Sequence, residues 1–362
     1  MHIVTNRYKI LVLSRYDRLG ASSRIRCFQY IPYLENAGIQ VEIAPFFDAG
    51  YLEHLYATGR RRIRDVVPRY LKRFRAVIAA RQYSAIWVEK EIFPFLPSVF
   101  ETLLGRFRIP YLVDYDDATF HAYDQHPRTL VRKFLGNSLG SLIACAQCVT
   151  VGNSYLGDYA RMFGAKRVEL IPTVVNIMRY HAAEEPPLQE FRIGWIGSPT
   201  TTKYLYSVRG VLRRLSASRP VRLVTIGALP LPDFGVPLEQ HTWSESTEAR
   251  LLESIHVGIM PLPDTPWERG KCGYKLIQYL ATARPVVGSP VGVNRDIITK
   301  SVGFQADGDD QWFAALQAFS DNAALRRDCG KAGRLLVEEK YSLQAVAPKL
   351  MGILESVMRA HA

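Results

Sequence analysis

The chain lacks the features that would assign it to a secreted, membrane-spanning or disordered class. Its five cysteines among 362 residues are an odd number, spread thinly, which argues against a disulfide framework. It has no uncharged apolar run of the ~18 residues that a spanning helix needs, and no apolar signal core near its N-terminus. Apolar residues make up 48% of it, too many for a disordered chain. We therefore expect a folded cytoplasmic protein, peripheral at the inner face of the membrane if it binds one.

Acidic residues are scarce in the first half of the chain. Residues 1–180 hold 25 basic and 15 acidic residues, which accounts for most of the net charge of +12. Within them, residues 60–82 hold nine basic residues and one acidic residue, with apolar residues at helical spacing. Residues 60–75 are thus a candidate contact with an anionic membrane surface, or part of a core-packed helix with a solvated basic face. No aromatic-interleaved basic motif indicates a nucleic-acid partner.

Short β-rich runs alternate with helical patterns along the whole chain. The strand patterns are 9–15, 39–44, 85–90, 110–116, 148–153, 167–172, 191–197, 222–227, 236–243, 256–262 and 285–292. The helical patterns between them include 25–38, which Gly38 should end, and one near 128–144. Strands that alternate with helices predict parallel sheets. A polar stretch at 178–191, with two adjacent prolines, is typical of an interdomain linker. The pattern predicts two doubly wound α/β domains with ligands bound beyond the carboxyl ends of the strands, in the cleft between the domains.

The most specific stretch of the second half runs from 261 to 294. A strand pattern ends at Leu262, and after a loop a helix begins near Gly270, Lys271, Gly273 and Lys275. Free N–H groups and the helix dipole attract anions at such an end, glycines let a phosphate approach the backbone, and lysine adds positive charge. The pattern predicts a site for a diphosphate-bearing ligand, although helix starts also carry glycine and lysine for capping alone.

The sequence as a whole, including this stretch, resembles the family 4 retaining glycosyltransferases of GT-B fold. The similarity is strongest over 191–204 and 256–294. The family's two motif glutamates fall at Gly270 and Gln278, and its inner glycine falls at Gly273. The resemblance implies that Gln278 keeps an acceptor oxygen for the nucleotide ribose. It also implies that the sugar contact at Gly270 is lost, with Glu268 as a stand-in.

The family has Gly-Arg, and five residues later Lys, at the start of its second domain. This chain has Gly197, Ser198 and Lys203 there, so the lysine matches and the arginine does not. The loop that contains Gly20 resembles the family's loop facing the donor phosphates. The resemblance implies these donor-binding residues: Gly20, Gly197, Ser198, Lys203, Gly270, Lys271, Gly273, Lys275 and Gln278. It also implies that fixed cations and helix N–H groups neutralise the leaving nucleoside diphosphate, so that neither a metal nor another cofactor is required.

The GT-B layout that the resemblance implies has three parts. Residues 1–180 form a Rossmann-like domain on the acceptor side, and residues 190–340 form the Rossmann-like domain that binds the donor. Residues 341–362 contain a helix that crosses back to the first domain.

Acidic residues follow a strand pattern of the first half at Asp114, Asp116 and Asp117, with His121 close behind. Three interpretations stay open: oxygen ligands of a divalent metal, orientation of an acceptor hydroxyl, or caps of the following segment. The two-domain layout argues against the metal, because the glycosyltransferase fold that uses an Asp-x-Asp metal site is a single domain. The catalytic candidates are Asp116, Asp117, His121, Lys203 and Lys275.

Two other patterns concern the acceptor side. Glu89 and Glu91 end another strand pattern at the same edge, where they are candidates for assisting acceptor binding. Arg24 and Arg26 stand at the start of the predicted helix 25–38, where cations oppose the helix dipole. This conflict indicates an anionic ligand near them.

The resemblance and these residues together predict a retaining glycosyltransferase. It would move a sugar from a nucleotide-diphosphate-sugar donor to a hydroxyl of a glycan or lipid-linked acceptor, of the cell-surface polysaccharide type. The leading alternative is a non-catalytic nucleotide- or glycan-binding protein on the same scaffold, which the missing glutamates and arginine favour. A dinucleotide-dependent dehydrogenase needs G-x-G-x-x-G after a strand, and neither GSPTTTK nor RLGASSR supplies it.

Overall fold

The computed structural model describes residues 8–58, 66–97, 109–187 and 189–359. The chain divides into two compact units. Unit 1 is Met1–Thr173 with Val346–Ala362, and unit 2 is Val174–Ala345. Each unit contains a six-stranded parallel sheet, so the prediction of two doubly wound α/β domains is confirmed.

The sheet of unit 1 has the order β2-β1-β3-β4-β5-β6. Its strands are β1 (Tyr8–Leu13), β2 (Ile39–Ile43), β3 (Ala85–Glu89), β4 (Tyr111–Tyr115), β5 (Cys148–Val151) and β6 (Val168–Leu170). Its helices are α1 (Ala21–Arg26), α2 (Ile31–Asn36), α3 (Ala49–Thr58), α4 (Val66–Ile78), α5 (His121–Asp124), α6 (Thr129–Leu135), α7 (Gly140–Cys145) and α8 (Ser154–Met162). Strands β3 and β4 are buried along their whole length, as the central strands of a covered parallel sheet are. The direction of strand addition reverses between β1 and β3, the switch point of this sheet.

The sheet of unit 2 has the order β12-β11-β10-β7-β8-β9. Its strands are β7 (Phe191–Ile196), β8 (Val221–Ile226), β9 (Leu238–His241), β10 (Val257–Met260), β11 (Val286–Gly288) and β12 (Gly303–Gln305). Its helices are α9 (Arg209–Ser216), α10 (Glu248–Glu253), α11 (Pro266–Arg269), α12 (Tyr274–Ala281), α13 (Asn294–Ile297), α14 (Asp309–Asp321) and α15 (Ala323–Leu336). Helix α16 (Leu343–Arg359) begins in unit 2 and continues in unit 1. The switch point of this sheet lies between β7 and β10.

Alternate residues of the unit 2 strands serve two separate cores. Leu223 belongs to the core that contains residues of α9 and α14, and its neighbour Val224 belongs to the core that contains residues of α12. Because successive strand residues point to opposite faces, helices cover both faces of the sheet. The switch point of unit 2 is therefore open only at the strand ends.

Several predicted helices and strands differ in their bounds from those of the structure. The predicted helix 25–38 starts earlier, at Ala21, and is divided into α1, a 3₁₀ turn and α2. Gly38, at φ +78°, ends it as the sequence predicts. The predicted helix near 128–144 is two helices, α6 and α7, and the short strand β12 was not predicted.

The polar stretch that the sequence suggests as a linker is tied to unit 2 wherever it is described. The Arg284 guanidinium donates to the backbone carbonyls of Ala183 and Glu184, at 3.1 and 2.8 Å. Arg326 donates to the carboxylate of Glu185, at 2.9 and 3.2 Å. Backbone groups of this stretch are thus satisfied by arginine side chains rather than by a sheet.

The cysteines carry free thiols, four of them buried, while Cys145 is exposed at the end of α7. Burial raises the pKa of the Cys148 thiol to about 11. None of the described helices is both long enough and apolar enough to cross a membrane.

Candidate functional site

Lys275 lies in the first turn of α12, beside the switch point of unit 2. Its Nζ lies 4.8 Å from the ring centroid of Trp195. It also packs against Gly197, where an added Cβ would be 2.5 Å from Nζ. Within the described part of the chain no carboxylate forms an ion pair with Lys275. Burial, together with the positive charge of Lys271, lowers the pKa of Lys275 to about 7. No described side chain is therefore a counter-ion for this ammonium group, and an anionic ligand can supply one.

Tyr279 holds the helix that carries Lys275. Tyr279 lies one turn after Lys275 on the same face of α12. The Tyr279 hydroxyl accepts from the backbone N–H of Ile196 at 2.9 Å and donates to the carbonyl of Ile259 at 3.1 Å. Gly258 lets the ring lie flat on the sheet, since a Cβ there would be 2.1 Å from it. Helix α12, which carries Lys275, is thus fixed to both strands of the switch point.

The glycines and Lys271 of the motif form the turn between α11 and α12. Gly270 ends α11, and the Lys271 N–H donates to the carbonyl of Glu268 at 3.1 Å. Gly273 starts α12 at φ +66°, and a Cβ there would lie 2.4 Å from Ile297 Cδ1. Glycine is required at 273 for both conformation and space.

Lys203 lines a separate cavity of about 730 Å³ at the same edge of the unit 2 sheet. Its walls come from the segments that follow β7, β10, β11 and β12: Lys203, Tyr204, Ser207, Leu262, Pro263, Thr265, Trp267, Glu268, Ser289, Asp307, Gly308, Asp309 and Trp312. Glu268 is buried and accepts from the hydroxyls of Tyr204 and Thr265. Three acids and two indole rings make this cavity better suited to sugar or base groups than to phosphate.

Ser198 begins the 3₁₀ helix Pro199–Val208, which carries Lys203. Its N–H donates to Thr201 Oγ1 at 3.1 Å, and its Oγ lies 3.0 Å from Thr200 Oγ1. These contacts make Ser198 the cap of that helix. Ser198 directly follows Gly197, the residue against which the Lys275 ammonium packs.

Gln278 is buried in a polar network on the other side of α12. Its amide nitrogen lies 3.2 Å from the hydroxyl of Tyr180 and 3.3 Å from a carboxylate oxygen of Glu248. Glu248 also accepts from Tyr180 at 2.9 Å and from the Trp243 indole N–H at 2.7 Å. Sequence analysis missed Glu248, because a glutamate in the first helical turn is common for dipole reasons alone.

In unit 1, Asp116 lies in a network of charged and hydroxyl groups at the switch point. The Lys90 ammonium lies 2.8 Å from Asp116 Oδ1 and donates to Ser22 Oγ at 2.8 Å. Ser22 Oγ also lies 2.8 Å from Asp116 Oδ2 and 2.8 Å from Glu89 Oε1. Burial alone would raise the pKa of Asp116, but the charges of Lys90 and Arg26 hold it below its ordinary value. Asp116 is therefore ionised and paired at neutral pH.

Lys90 was missed by the sequence analysis, although it stands between Glu89 and Glu91. Burial would lower its pKa, but the carboxylates of Asp116 and Glu89 raise it above its ordinary value. Its backbone has φ +64°, and the N–H of Glu91 bonds the carbonyl of Glu89 across it at 2.7 Å. A left-handed lysine is strained, and such strain is typical of functional sites.

Asp114 forms a buried bidentate ion pair with Arg26, at 2.8 and 2.6 Å. The hydroxyl of Thr150 donates to the same carboxylate at 2.6 Å. Arg24 and Arg26 lie in the last turn of α1, where cations suit the dipole, so the predicted conflict at a helix start is wrong. Asp114, rather than a ligand, is the counter-ion of Arg26.

The other residues predicted on the acceptor side have local partners. Asp117 is half-buried, and its Oδ1 accepts from the N–H of the next residue, Ala118, at 3.2 Å. His121 Nδ1 lies 2.8 Å from Asp124 Oδ1, and His121 Nε2 lies 2.8 Å from the Tyr155 hydroxyl. Both ring nitrogens of His121 are thus engaged within unit 1.

Gly20 and Glu91 shape the same edge. Gly20 is the N-cap of α1, and a Cβ there would lie 2.3 Å from Tyr16 Cβ, so only glycine places Ser22 in the network. Glu91 pairs with Arg15 and accepts from the Tyr123 hydroxyl at 2.5 Å. In the described ranges no group of three or more His, Cys, Asp or Glu side chains is arranged to hold a metal ion.

Solved structures with the same two-sheet arrangement are known. Sucrose-phosphate synthase from Thermosynechococcus elongatus superposes with a TM-score of 0.75 at 17% identity, covering 98% of this chain and 100% of its own. HepE from Anabaena in complex with UDP-glucose gives 0.70 at 12%, covering 97% and 100%. WaaG, a glycosyltransferase of lipopolysaccharide biosynthesis, gives 0.70 at 12%, covering 95% and 99%.

The chain has the GT-B fold. No protein-family model and no curated protein sequence matches it. At these identities the similarity establishes the fold alone. The charged groups described above lie at the switch points of its two sheets.

Proposed function

We propose that this protein is a retaining glycosyltransferase that uses a nucleotide-diphosphate-sugar donor and needs no metal. The acceptor is a hydroxyl of a glycan or lipid-linked glycan of the cell-surface polysaccharide type. The observation that carries the proposal is the Lys275 ammonium, which lacks a carboxylate partner among the described residues at the switch point of a GT-B unit. A partly buried cation without a counter-ion costs stability, so its presence here favours a function in anion binding.

The diphosphate is assigned to the N-terminal end of α12. Lys275 and Lys271 supply positive charge there, the helix dipole adds to it, and Gly197 leaves room beside the lysine ammonium. As the bond between sugar and diphosphate breaks, negative charge grows on the leaving group, and these fixed charges stabilise it.

The uncharged part of the donor is assigned to the cavity lined by Lys203 and Glu268. Lys203, exposed at its rim, would reach a phosphate oxygen from the other side. The acids of the cavity accept from hydroxyl groups, as donor sugars require, and its indole rings offer flat apolar surfaces.

The acceptor is assigned to the switch point of unit 1. Ser22 and the paired Asp116 present a hydroxyl and a carboxylate at the carboxyl ends of β1, β3 and β4. The half-buried Asp117 stands next in the chain and is the candidate for orienting the acceptor hydroxyl.

A non-catalytic binding protein on the same fold remains the second candidate. The observation that favours it is His121, whose ring nitrogens are both occupied by Asp124 and Tyr155. It differs from the transferase in one measurable respect: it binds a nucleotide or glycan and releases no nucleoside diphosphate.

The experiment that tests the function is calorimetric titration of the purified protein with a panel of nucleotide sugars and nucleoside diphosphates. We expect one nucleotide sugar, with UDP-glucose in the panel, to bind equally well with and without EDTA. Release of nucleoside diphosphate, measured next, separates the transferase from the binding protein. Binding that EDTA abolishes would contradict the metal-independent mechanism, and a panel without any binding would overturn the donor site.

On the acceptor side, Asp117→Ala is expected to raise the acceptor KM or lower kcat while nucleotide-sugar affinity stays unchanged. The reason is that Asp117 belongs to unit 1, whereas the lysines and the cavity assigned to the donor belong to unit 2. Asp158→Ala, which removes an exposed acid of unit 1, is the matched control and should leave both quantities unchanged. Weaker nucleotide binding in Asp117→Ala would remove Asp117 from the acceptor site.

The same proposal places the protein at the inner face of a membrane, where a lipid-linked acceptor is found. Residues 60–75 are the assigned contact with anionic lipid, and those from 66 onward are described. Within this part Lys72 and Arg75 are exposed, and no described carboxylate forms an ion pair with either. Cations of this kind are attracted to anionic headgroups within a Debye length of the surface.

A further inference from the structure

Helix α4 carries a row of solvent-exposed apolar side chains. Val67, Leu71, Phe74 and Ile78 are 65, 58, 41 and 53% exposed. Their spacing of four, three and four residues places them on one face of the helix. Large apolar side chains in a continuous exposed row are unusual on a protein surface and indicate a contact surface.

The face of α4 that packs on unit 1 is a different one. Arg73 is buried there, with its Nη2 donating to the carbonyl of Ser14 at 2.6 Å, and Val77 is buried beside it. The alternative from the sequence, a helix whose apolar stripe fills the core, is therefore wrong for the four outward residues. They need another explanation.

Helix α6 repeats the pattern in a second place. Leu130 and Phe134 are 69 and 65% exposed and stand one turn apart, and no residue of α6 is buried. Arg128 and Lys133 are exposed beside them. The sequence has no acidic residue from 125 to 157, nor from 66 to 88 around α4.

The topology puts the connections that contain the two helices on one face of the unit 1 sheet. The connection from β2 to β3 contains α4, and the connection from β4 to β5 contains α6. Both connections move in the same direction along the strand order β2-β1-β3-β4-β5-β6. Because crossovers between parallel strands are right-handed, connections in the same direction lie on the same face.

We infer that α4 and α6 together form a surface that docks on an anionic lipid bilayer, which we name the two-helix surface. The outward apolar side chains of the two helices enter the headgroup boundary, and the cations beside them contact anionic headgroups. Exposed apolar rows with exposed cations beside them match this partner in both apolar character and charge, and Asp48, which pairs with Arg69 of α4, is the acidic neighbour described there. The inference assigns α6 to the membrane contact and does not depend on the proposed transferase activity.

The test is co-sedimentation of the full chain with vesicles, without any nucleotide sugar. The wild-type protein is expected to bind vesicles of phosphatidylcholine with phosphatidylglycerol, to ignore pure phosphatidylcholine, and to bind less as salt rises. Leu130→Ser/Phe134→Ser and Val67→Ser/Leu71→Ser/Phe74→Ser are each expected to lower the partition coefficient about tenfold or more, through lost apolar burial. Leu229→Ser/Leu335→Ser removes exposed leucines of unit 2 and is expected to change nothing.

Because all substituted side chains are exposed, the variants should keep the far-ultraviolet circular dichroism of the wild type. Vesicle binding that survives the α6 variant would overturn the two-helix surface. No binding of the wild-type protein to anionic vesicles, or concentration-dependent dimerisation that the same variants abolish, would overturn the membrane as its partner.

Discussion

Changing Lys275 to methionine is expected to weaken nucleotide-sugar binding about 10- to 100-fold, the worth of one charge-assisted hydrogen bond to phosphate. Turnover is expected to fall further, by about 100-fold or more, because charge on the leaving diphosphate grows as the bond breaks. Calorimetry and nucleoside diphosphate release measure the two effects. Methionine keeps most of the length and the apolar stem of the side chain against Trp195 while removing its charge.

The pH dependence gives this prediction a second readout. The pKa of Lys275 is about 7 in the free protein, and a bound diphosphate favours the protonated form and so raises it. Affinity should therefore be highest below pH 7 and fall as pH rises above it, by up to about tenfold per pH unit. A nucleotide sugar suits the experiment because its diphosphate diester stays ionised throughout. In Lys275→Met this fall should be absent.

Lys275→Met should at the same time stabilise the fold at pH 7. A lysine whose folded pKa lies below its unfolded value destabilises the protein most below the folded pKa, and the effect fades as pH rises from the folded toward the unfolded value. Lys300→Met, at an exposed lysine of the same unit, is the matched control and should change neither affinity nor stability. Equal losses of affinity in both variants, or a pH profile that Lys275→Met leaves intact, would remove Lys275 from the donor site.

Asp114→Ala is expected to destabilise unit 1 by about 3–5 kcal/mol. The substitution leaves the buried Arg26 guanidinium without the carboxylate that it contacts through two hydrogen bonds. For a unit of this size the loss corresponds to a fall in unfolding temperature on the order of 10 °C, which differential scanning calorimetry measures.

Two variants separate the lost ion pair from the lost side chain. Arg26→Met/Asp114→Leu removes both charges together and should recover much of the stability, since no unpaired charge stays buried. Asp117→Ala, three residues away and half-buried, should cost less than about 1 kcal/mol. If Asp114→Ala were no more costly than Asp117→Ala, Asp114 would not be the structural counter-ion that its geometry indicates.

Much of the fold was readable from the sequence, because alternation of strand and helix patterns depends on local spacing alone. The two parallel sheets follow from it, and so does the glycine-rich start of α12, where Gly273 adopts a positive φ. Predicted bounds failed where a local break divided a helix, as at Gly136 between α6 and α7. Such breaks depend on packing between elements, which periodicity does not record.

The candidate site was predictable in its residue types and less so in their partners. The acids at the end of β4 were found, but Asp114 and Asp116 have different roles because different cations face them, Arg26 and Lys90. These partners lie on α1 and at the end of β3, so only the sheet order brings them together.

By itself the sequence determined the two α/β domains, the excess of positive charge in the first half, and the lysines at the start of α12. The tertiary structure decided which charges are paired and which faces are covered. Lys275 meets Gly197 and Trp195, whose positions are distant in sequence, and finds no carboxylate among the described residues. Helical spacing groups the apolar residues of α4 on one face, but only the position of the helix on its sheet decides that this face points outward.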